Sequence, residues 1–262
     1  MRVFAALALA VGLSAAGSSF AQTQRTFEGV YSVHARGIEA GDFTYSFRQN
    51  GASYEANARR EIKGFARTLL GSNQDYTYAV RGTVTANGIL QPEAYQHQGG
   101  RRREDRPNGR LVRATFSPTD VVTVTDPPGM SMGNPRATPE HRHGVIDQIS
   151  AIAAMVVANG DPCSRTLAVY MDGRSRFDFV MTPNGRVNVD SRAYQGEARR
   201  CRVEFRPIAG FSDPQEAATL SFVFAQTQSG MWAPITIEMP TDGVGVVRLE
   251  ARRLTLNGAR LR

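Results

Sequence analysis

The stretch DQISAIAAMVVANG, Asp147 to Gly160, constrains the fold more than any other part of the chain. Between a capping Asp147 and a stop at Asn159-Gly160, only Gln148 and Ser150 are polar, which predicts a helix apolar on nearly every side. Pro162 then prevents its continuation. Such a helix must be covered on nearly every side, and it is too short to cross a bilayer. Something in the rest of the chain has to wrap around it.

The rest of the chain alternates with period two, the mark of half-buried strands. Tyr31, Val33 and Ala35 alternate with Ser32, His34 and Arg36; Phe43, Tyr45 and Phe47 alternate with Thr44, Ser46 and Arg48. Asn50-Gly51, Asp172-Gly173 and Asn184-Gly185 mark tight turns between such runs. Strands joined by short turns imply an antiparallel meander. The predicted fold is therefore mainly β: a curved antiparallel sheet, as an open barrel or β-spiral, wrapped around one buried α-helix. Residues 64–72, GFARTLLGS, read as a short apolar helix or flap. No repeat, linker or low-complexity tract divides the chain, so residues 22–262 are expected to form a single β-rich domain.

The start of the chain has a different task. Arg2 precedes an apolar run from Val3 to Leu13, and Ser19-Phe20-Ala21 places small residues before Gln22. This is the pattern of a signal peptide, residues 1–21, cleaved after Ala21, and it implies export to a bacterial periplasm. The pattern does not suit a membrane-spanning anchor. Two cysteines, Cys163 and Cys201, read in that compartment as a disulfide. Strand parity supports the pairing, because Cys201 shares a face with Val203 and Phe205, and Cys163 with Leu167 and Val169. The net charge of +7 comes almost wholly from arginine, since Lys63 is the only lysine. That balance favours contact with a lipid headgroup or other anionic envelope component.

The motifs that resemble chemical sites lack their context. Gly129-Met130-Ser131-Met132-Gly133 spells G-x-S-x-G, but Pro127-Pro128 precedes it and Pro135 and Pro139 stand where an elbow helix would run. His141 and His143 would share a face in an extended segment, with Glu140 or His97 as a third ligand, but nothing else completes a metal site. The run GGRRREDR, residues 99–106, is broken by two acids and has no aromatic, which argues against nucleic acid. Asp172, Asp178 and Asp190 are read as turn and cross-strand charge residues. No catalytic, cofactor-binding or metal-binding residue is assigned, and no cofactor is expected. The proline-punctuated connector 126–144 is expected to be mobile.

With these segments in view, the chain resembles the exported bacterial family catalogued as domain of unknown function 3108. The likeness rests on YSVHARGIEAGDFTYSFRQNGASYEANAR, GVIDQISAIAAM, PCSRTLAVYMDGRSRFDF and CRVEFRPIAGF, taken in order and spacing. It implies an envelope β-protein, similar in shape to the open half-barrels of periplasmic lipoprotein carriers, and it brings no catalytic residues. The expected function is a non-catalytic periplasmic protein of the cell envelope that binds a lipid-like ligand or an envelope partner. The aromatic stripe Phe43, Tyr45 and Phe47 motivates that expectation. The alternatives are an envelope hydrolase or glycan-processing enzyme, and a structural or regulatory module that docks another protein through a sheet edge.

Overall fold

A computed structural model of the chain describes residues 24–64, 67, 75–100, 109–158, 160–227, 230–241 and 243–261. The expected signal peptide, most of the expected 64–72 helix, Asn159 and the arginines 101–103 lie outside the described residues.

Among the described residues, fourteen strands form one antiparallel sheet. The first seven are β1 (Gln24–Ala35), β2 (Ile38–Asn50), β3 (Ser53–Ile62), β4 (Tyr76–Val84), β5 (Leu90–Gly99), β6 (Arg110–Phe116) and β7 (Val121–Asp126). After the connector and helix α1 (Gln148–Val156) come β8 (Arg165–Met171), β9 (Ser175–Asp190), β10 (Gln195–Ala209), β11 (Ala218–Gln226), β12 (Trp232–Thr241), β13 (Gly245–Leu256) and β14 (Ala259–Arg260). The order across the sheet is β7-β6-β5-β4-β3-β2-β1-β13-β12-β11-β10-β9-β8, with β14 on β13. The chain thus meanders outward to β7, crosses to the far edge at β8, and meanders back to β13 beside β1. β7 and β8 do not pair, so the sheet is open.

Period two becomes face selection. On the inner face, Phe27, Phe47, Ala56, Val80, Tyr95 and Ala114 stand opposite one another strand after strand, all buried. Tyr45 and Phe47 of the aromatic stripe are core, while Phe43 is only partly buried. The helix lies against strands from both halves of the sheet, β3, β4 and β5 on one side and β8 and β12 on the other. Ile149, Ala153 and Val156 join the cluster of Phe27, Tyr45 and Tyr54, and Ala151 and Met155 join that of Phe177, Phe222 and Trp232. Burying each large apolar side chain of this helix contributes roughly 1.5–3 kcal/mol.

Asp147 caps the helix as expected. One carboxylate oxygen accepts from Ile149 N and Ser150 N, each at 2.9 Å, and the other accepts from Ser150 Oγ at 2.5 Å. Ser150 Oγ lies 2.7 Å from the Tyr54 hydroxyl, and Tyr45 donates to Ile149 O at 3.1 Å. Asp147 is fully buried, and that burial raises its carboxyl above the usual carboxylate range despite these donors. The helix ends at Val156 rather than at Asn159. Arg165 takes the Ala154 carbonyl at 3.0 Å, and Trp232 Nε1 donates to Gly160 O at 2.8 Å, drawing the chain off the helix axis. Just beyond, Cys163 and Cys201 stand at disulfide distance with Cα atoms 5.2 Å apart. A bond there closes a span of 38 residues, a constraint that stabilises by roughly 3–4 kcal/mol on the chain-entropy model.

The connector differs from expectation, because it is tied to the far half of the sheet. Asn134 N donates to Phe211 O at 3.0 Å, Gly210 N donates to Pro135 O at 2.8 Å, and Arg174 donates to Ser131 O at 3.1 Å. Gly210, at φ +81°, is required here, since a Cβ would fall 1.8 Å from Arg174 O.

Replacing Asp147 tests the cap. Asp147→Ala removes the cap and leaves the Ser150 hydroxyl short of a buried acceptor, so it should lower unfolding free energy by about 2–4 kcal/mol in urea titrations. Asp147→Asn keeps an oxygen acceptor for the two backbone donors and should lose less. Equal stability of the alanine variant and the wild type would show that the cap does not matter.

Candidate functional site

The inner face of β3, β4 and β5 carries a second polar cluster near the open end of the sheet. Alternation places Tyr76 and Tyr78 on the inner face of β4, Tyr95 and His97 on that of β5, and Arg60 opposite Tyr76 on β3. The cluster is completed from the other half of the sheet by Asp172, in the turn between β8 and β9, and from the helix by Gln148.

That turn is inserted beneath β6 and β7. Gly173 has φ +69°, and a Cβ on it would lie 2.7 Å from Thr123 Cγ2 and 3.1 Å from Val112 Cγ1, so only glycine fits. Thr123 Oγ1 donates to Gly173 O at 2.7 Å. Gln148 then grips the neighbouring residue twice, donating to Asp172 Oδ1 at 2.7 Å and accepting from Asp172 N at 3.3 Å. The same amide nitrogen donates to the Tyr95 hydroxyl at 2.6 Å.

Tyr95 therefore receives one hydrogen bond and has one proton to give. His97 Nδ1 lies 2.9 Å from it and Asp172 Oδ1 3.4 Å, so the shorter contact assigns the proton to His97. This leaves His97 with its proton on Nε2. Burial lowers the His97 pKa, with Asp172 opposing and Arg174 and Arg60 reinforcing the shift, and burial also raises the Tyr95 hydroxyl well above its ordinary value. Both groups are held neutral near pH 7. The hydrogen bonds fix the direction of the chain, with Tyr95 donating and His97 Nδ1 accepting.

Around it the aromatic rings pack closely. Tyr76 and Tyr78 stack with centroids 5.9 Å apart and planes 15° apart, and the His97 ring lies 6.0 Å from Tyr76 and 5.8 Å from Tyr78. The Arg60 guanidinium sits 4.5 Å over the Tyr76 ring, a cation–π contact.

The motifs singled out in sequence are not brought together. Ser131 is exposed, and among the described residues its hydroxyl accepts from Gly133 N, at 3.3 Å, and meets no histidine that could be its base. His141 Nδ1 accepts from Thr138 N at 3.3 Å, His143 is exposed, and His97 is enclosed by tyrosines. Among the described residues, no three His, Cys, Asp or Glu side chains form a group that could hold a metal. Asp178 pairs with Arg176 at 2.7 Å, two residues away on the same strand β9, whereas its cross-strand neighbour Arg206 pairs with Glu204, so the expected cross-strand charge pairing is not what the structure shows at Asp178. Sequence reasoning missed Tyr95, Gln148 and Asp172 as a unit. The available signal was a histidine and three tyrosines at inward parity in DYTYAV and EAYQHQ.

Two shallow grooves, of about 400 Å³ and about 490 Å³, lie on the sheet, lined mainly by outward side chains. Glu55, Arg81 and Arg113 belong to the first, Glu28, Arg59 and Arg253 to the second, and Asn57 to both.

Histidine burial gives a pH signature. The unfolded chain protonates His97 near its ordinary value of about 6.5, whereas the folded protein protonates it only at lower pH. Its stabilising contribution is thus complete above about pH 6.5 and is lost as pH falls from there toward the folded pKa. Urea midpoints measured from pH 5 to 8 should decline on the acid side in the wild type and decline less in His97→Gln. Parallel profiles would refute the assignment.

No curated protein and no solved structure matches the chain. A family model does match, over residues 30–252, which is most of its length. The resemblance carried by the ordered segments above is thereby established: the chain belongs to the family described as protein of unknown function (DUF3108).

Proposed function

We propose that the protein is a non-catalytic periplasmic protein of the cell envelope that binds a lipid-like ligand on its concave face. The observation that carries this reading is an apolar strip left partly exposed there. Val33 stands opposite Leu249, Leu249 opposite Ile237, and Val247 opposite Met239, and all five are only partly buried. Val33, Val247 and Leu249 belong to neither core cluster, and Phe43 continues the strip onto β2. Partly exposed apolar rows on the inside of a curved sheet suit an acyl chain. The signal-peptide pattern and the cysteine pair support export. Native mass spectrometry of protein purified from its own envelope fraction, followed by lipid extraction, should reveal a recurrent bound amphiphile. A clean apo mass from that fraction counts against the reading.

One observation favours a protein partner as a second reading. The β8 edge is covered, since Ile146 N donates to Ala168 O at 2.9 Å and Tyr170 N donates to Ile146 O at 2.8 Å. The β7 edge carries no such strand among the described residues, and Val122 and Val124 beside it are 59% and 61% exposed. An added strand would pair there through its backbone. Thr125→Pro should then abolish capture of the partner in envelope cross-linking while leaving the thermal midpoint within a few degrees. Unchanged cross-links would exclude the edge.

A further inference from the structure

We infer that Arg60 receives the anionic headgroup of the amphiphile whose apolar chain lies along the Phe43–Val33–Leu249 strip; the inference rests on the ligand reading above. Arg60 and Arg165 are the described arginines with a buried, unpartnered Nε, but the guanidinium of Arg165 is engaged by Ala154 O. Arg60 projects from the inner face of β3, between Phe43 on β2 and Tyr76 on β4 in the same cross-strand row. Its Nε is buried with no hydrogen-bond partner, and no carboxylate pairs with its guanidinium among the described residues. The acids nearest in sequence and register are already engaged: Glu61 with Arg59, Asp42 with Lys63 and Arg252, and Asp75 with Arg67 and the Ile62 amide.

A partly buried guanidinium stacked on an aromatic ring keeps its in-plane donors free for an oxyanion, and its fork matches a carboxylate or phosphate in two parallel hydrogen bonds. The local field favours such a guest. Arg60 and Arg174 both act on His97, against the single carboxylate of Asp172, which is itself bound by Gln148. Neutral His97 and the neutral tyrosines beside it add no competing charge. The apolar row Leu249–Val33 lies immediately toward the sheet rim from the row Tyr31–Phe43–Arg60, so a headgroup at Arg60 leaves its chain on apolar side chains. An apolar chain with a terminal oxyanion therefore meets complementary chemistry along its whole length. A neutral amphiphile would leave the buried Nε–H unpaired.

The test compares ligands of one chain length by titration calorimetry: laurate, lauryl phosphate and dodecanol, with acetate and inorganic phosphate as headgroups alone. Wild-type protein should bind laurate or lauryl phosphate about tenfold or more tighter than dodecanol, and the stronger of the two identifies a carboxylate or a phosphate source. Arg60→Gln should erase that preference and leave dodecanol binding unchanged, while Arg60→Lys should keep part of it. Equal wild-type affinity for charged and neutral chains overturns the role of Arg60 and leaves the concave-face reading standing. Acetate or phosphate binding as tightly as the amphiphiles overturns the chain's part in recognition. If none of the long-chain compounds binds, both readings fall together.

Discussion

Three consecutive residues, Ile146, Asp147 and Gln148, hold the two halves of the molecule in register, and the buried Asp147 carboxylate is the constraint on which the others depend. Ile146 covers the β8 edge, Asp147 caps the helix, and Gln148 grips the β8–β9 turn. An ionisable group with no exposure is tolerated only where its oxygens are satisfied, and here the helix's own first-turn donors supply that. Ser150 passes the arrangement on to Tyr54, so the start of the helix is fixed to β3 as well as to itself. If the cap were lost, the helix would lose its fixed position relative to the sheet before it lost its apolar contacts.

The sheet is closed by side chains and a turn rather than by strand pairing. Thirteen strands lie in one path, yet β7 and β8 remain separate, because the space inside is occupied by a helix and β8 is already covered by Ile146. What joins the ends is the Asp172-Gly173 turn pushed under β6 and β7, with Thr123, Tyr95 and Gln148 as its partners. A hydrogen-bonded barrel would fix both rims equally. This arrangement fixes one part of the concave face and leaves the rows from Val33 to Ile237 with less cover.

Much of this was legible because it is local. Alternation along Phe43 to Phe47 assigns a face, Asp147 announces a cap, and two cysteines announce a pair, although Cys163 stands in the turn before β8 rather than on a strand, so parity alone does not place its sulfur. What was not legible depends on contacts between distant residues. Tyr95 and Asp172 are 77 positions apart, and in sequence Asp172 is simply the first residue of an Asp-Gly turn. The helix stops at Val156, where Arg165 takes the Ala154 carbonyl, and Trp232, 72 positions from Gly160, holds the Gly160 carbonyl beyond the helix end. The connector looked loose because prolines and glycines dominate it, yet Gly210 of the opposite half provides the backbone it pairs with.

Charge follows the same logic, since its position matters more than its sum. A net +7 describes a surface rich in arginine, and Arg81, Arg113 and Arg253 on the outer grooves face water, where an unpaired guanidinium costs little. Arg60 is the same residue on the other face of the sheet. One peptide of register shift along β3 would send it outward and bring Arg59 or Glu61 in, because side chains alternate strictly across a strand. The pairing of Phe43 with Arg60 and of Arg60 with Tyr76 therefore fixes where the cation stands. An unpaired donor in that place is a demand for an acceptor, and the demand is created by the register rather than by the composition.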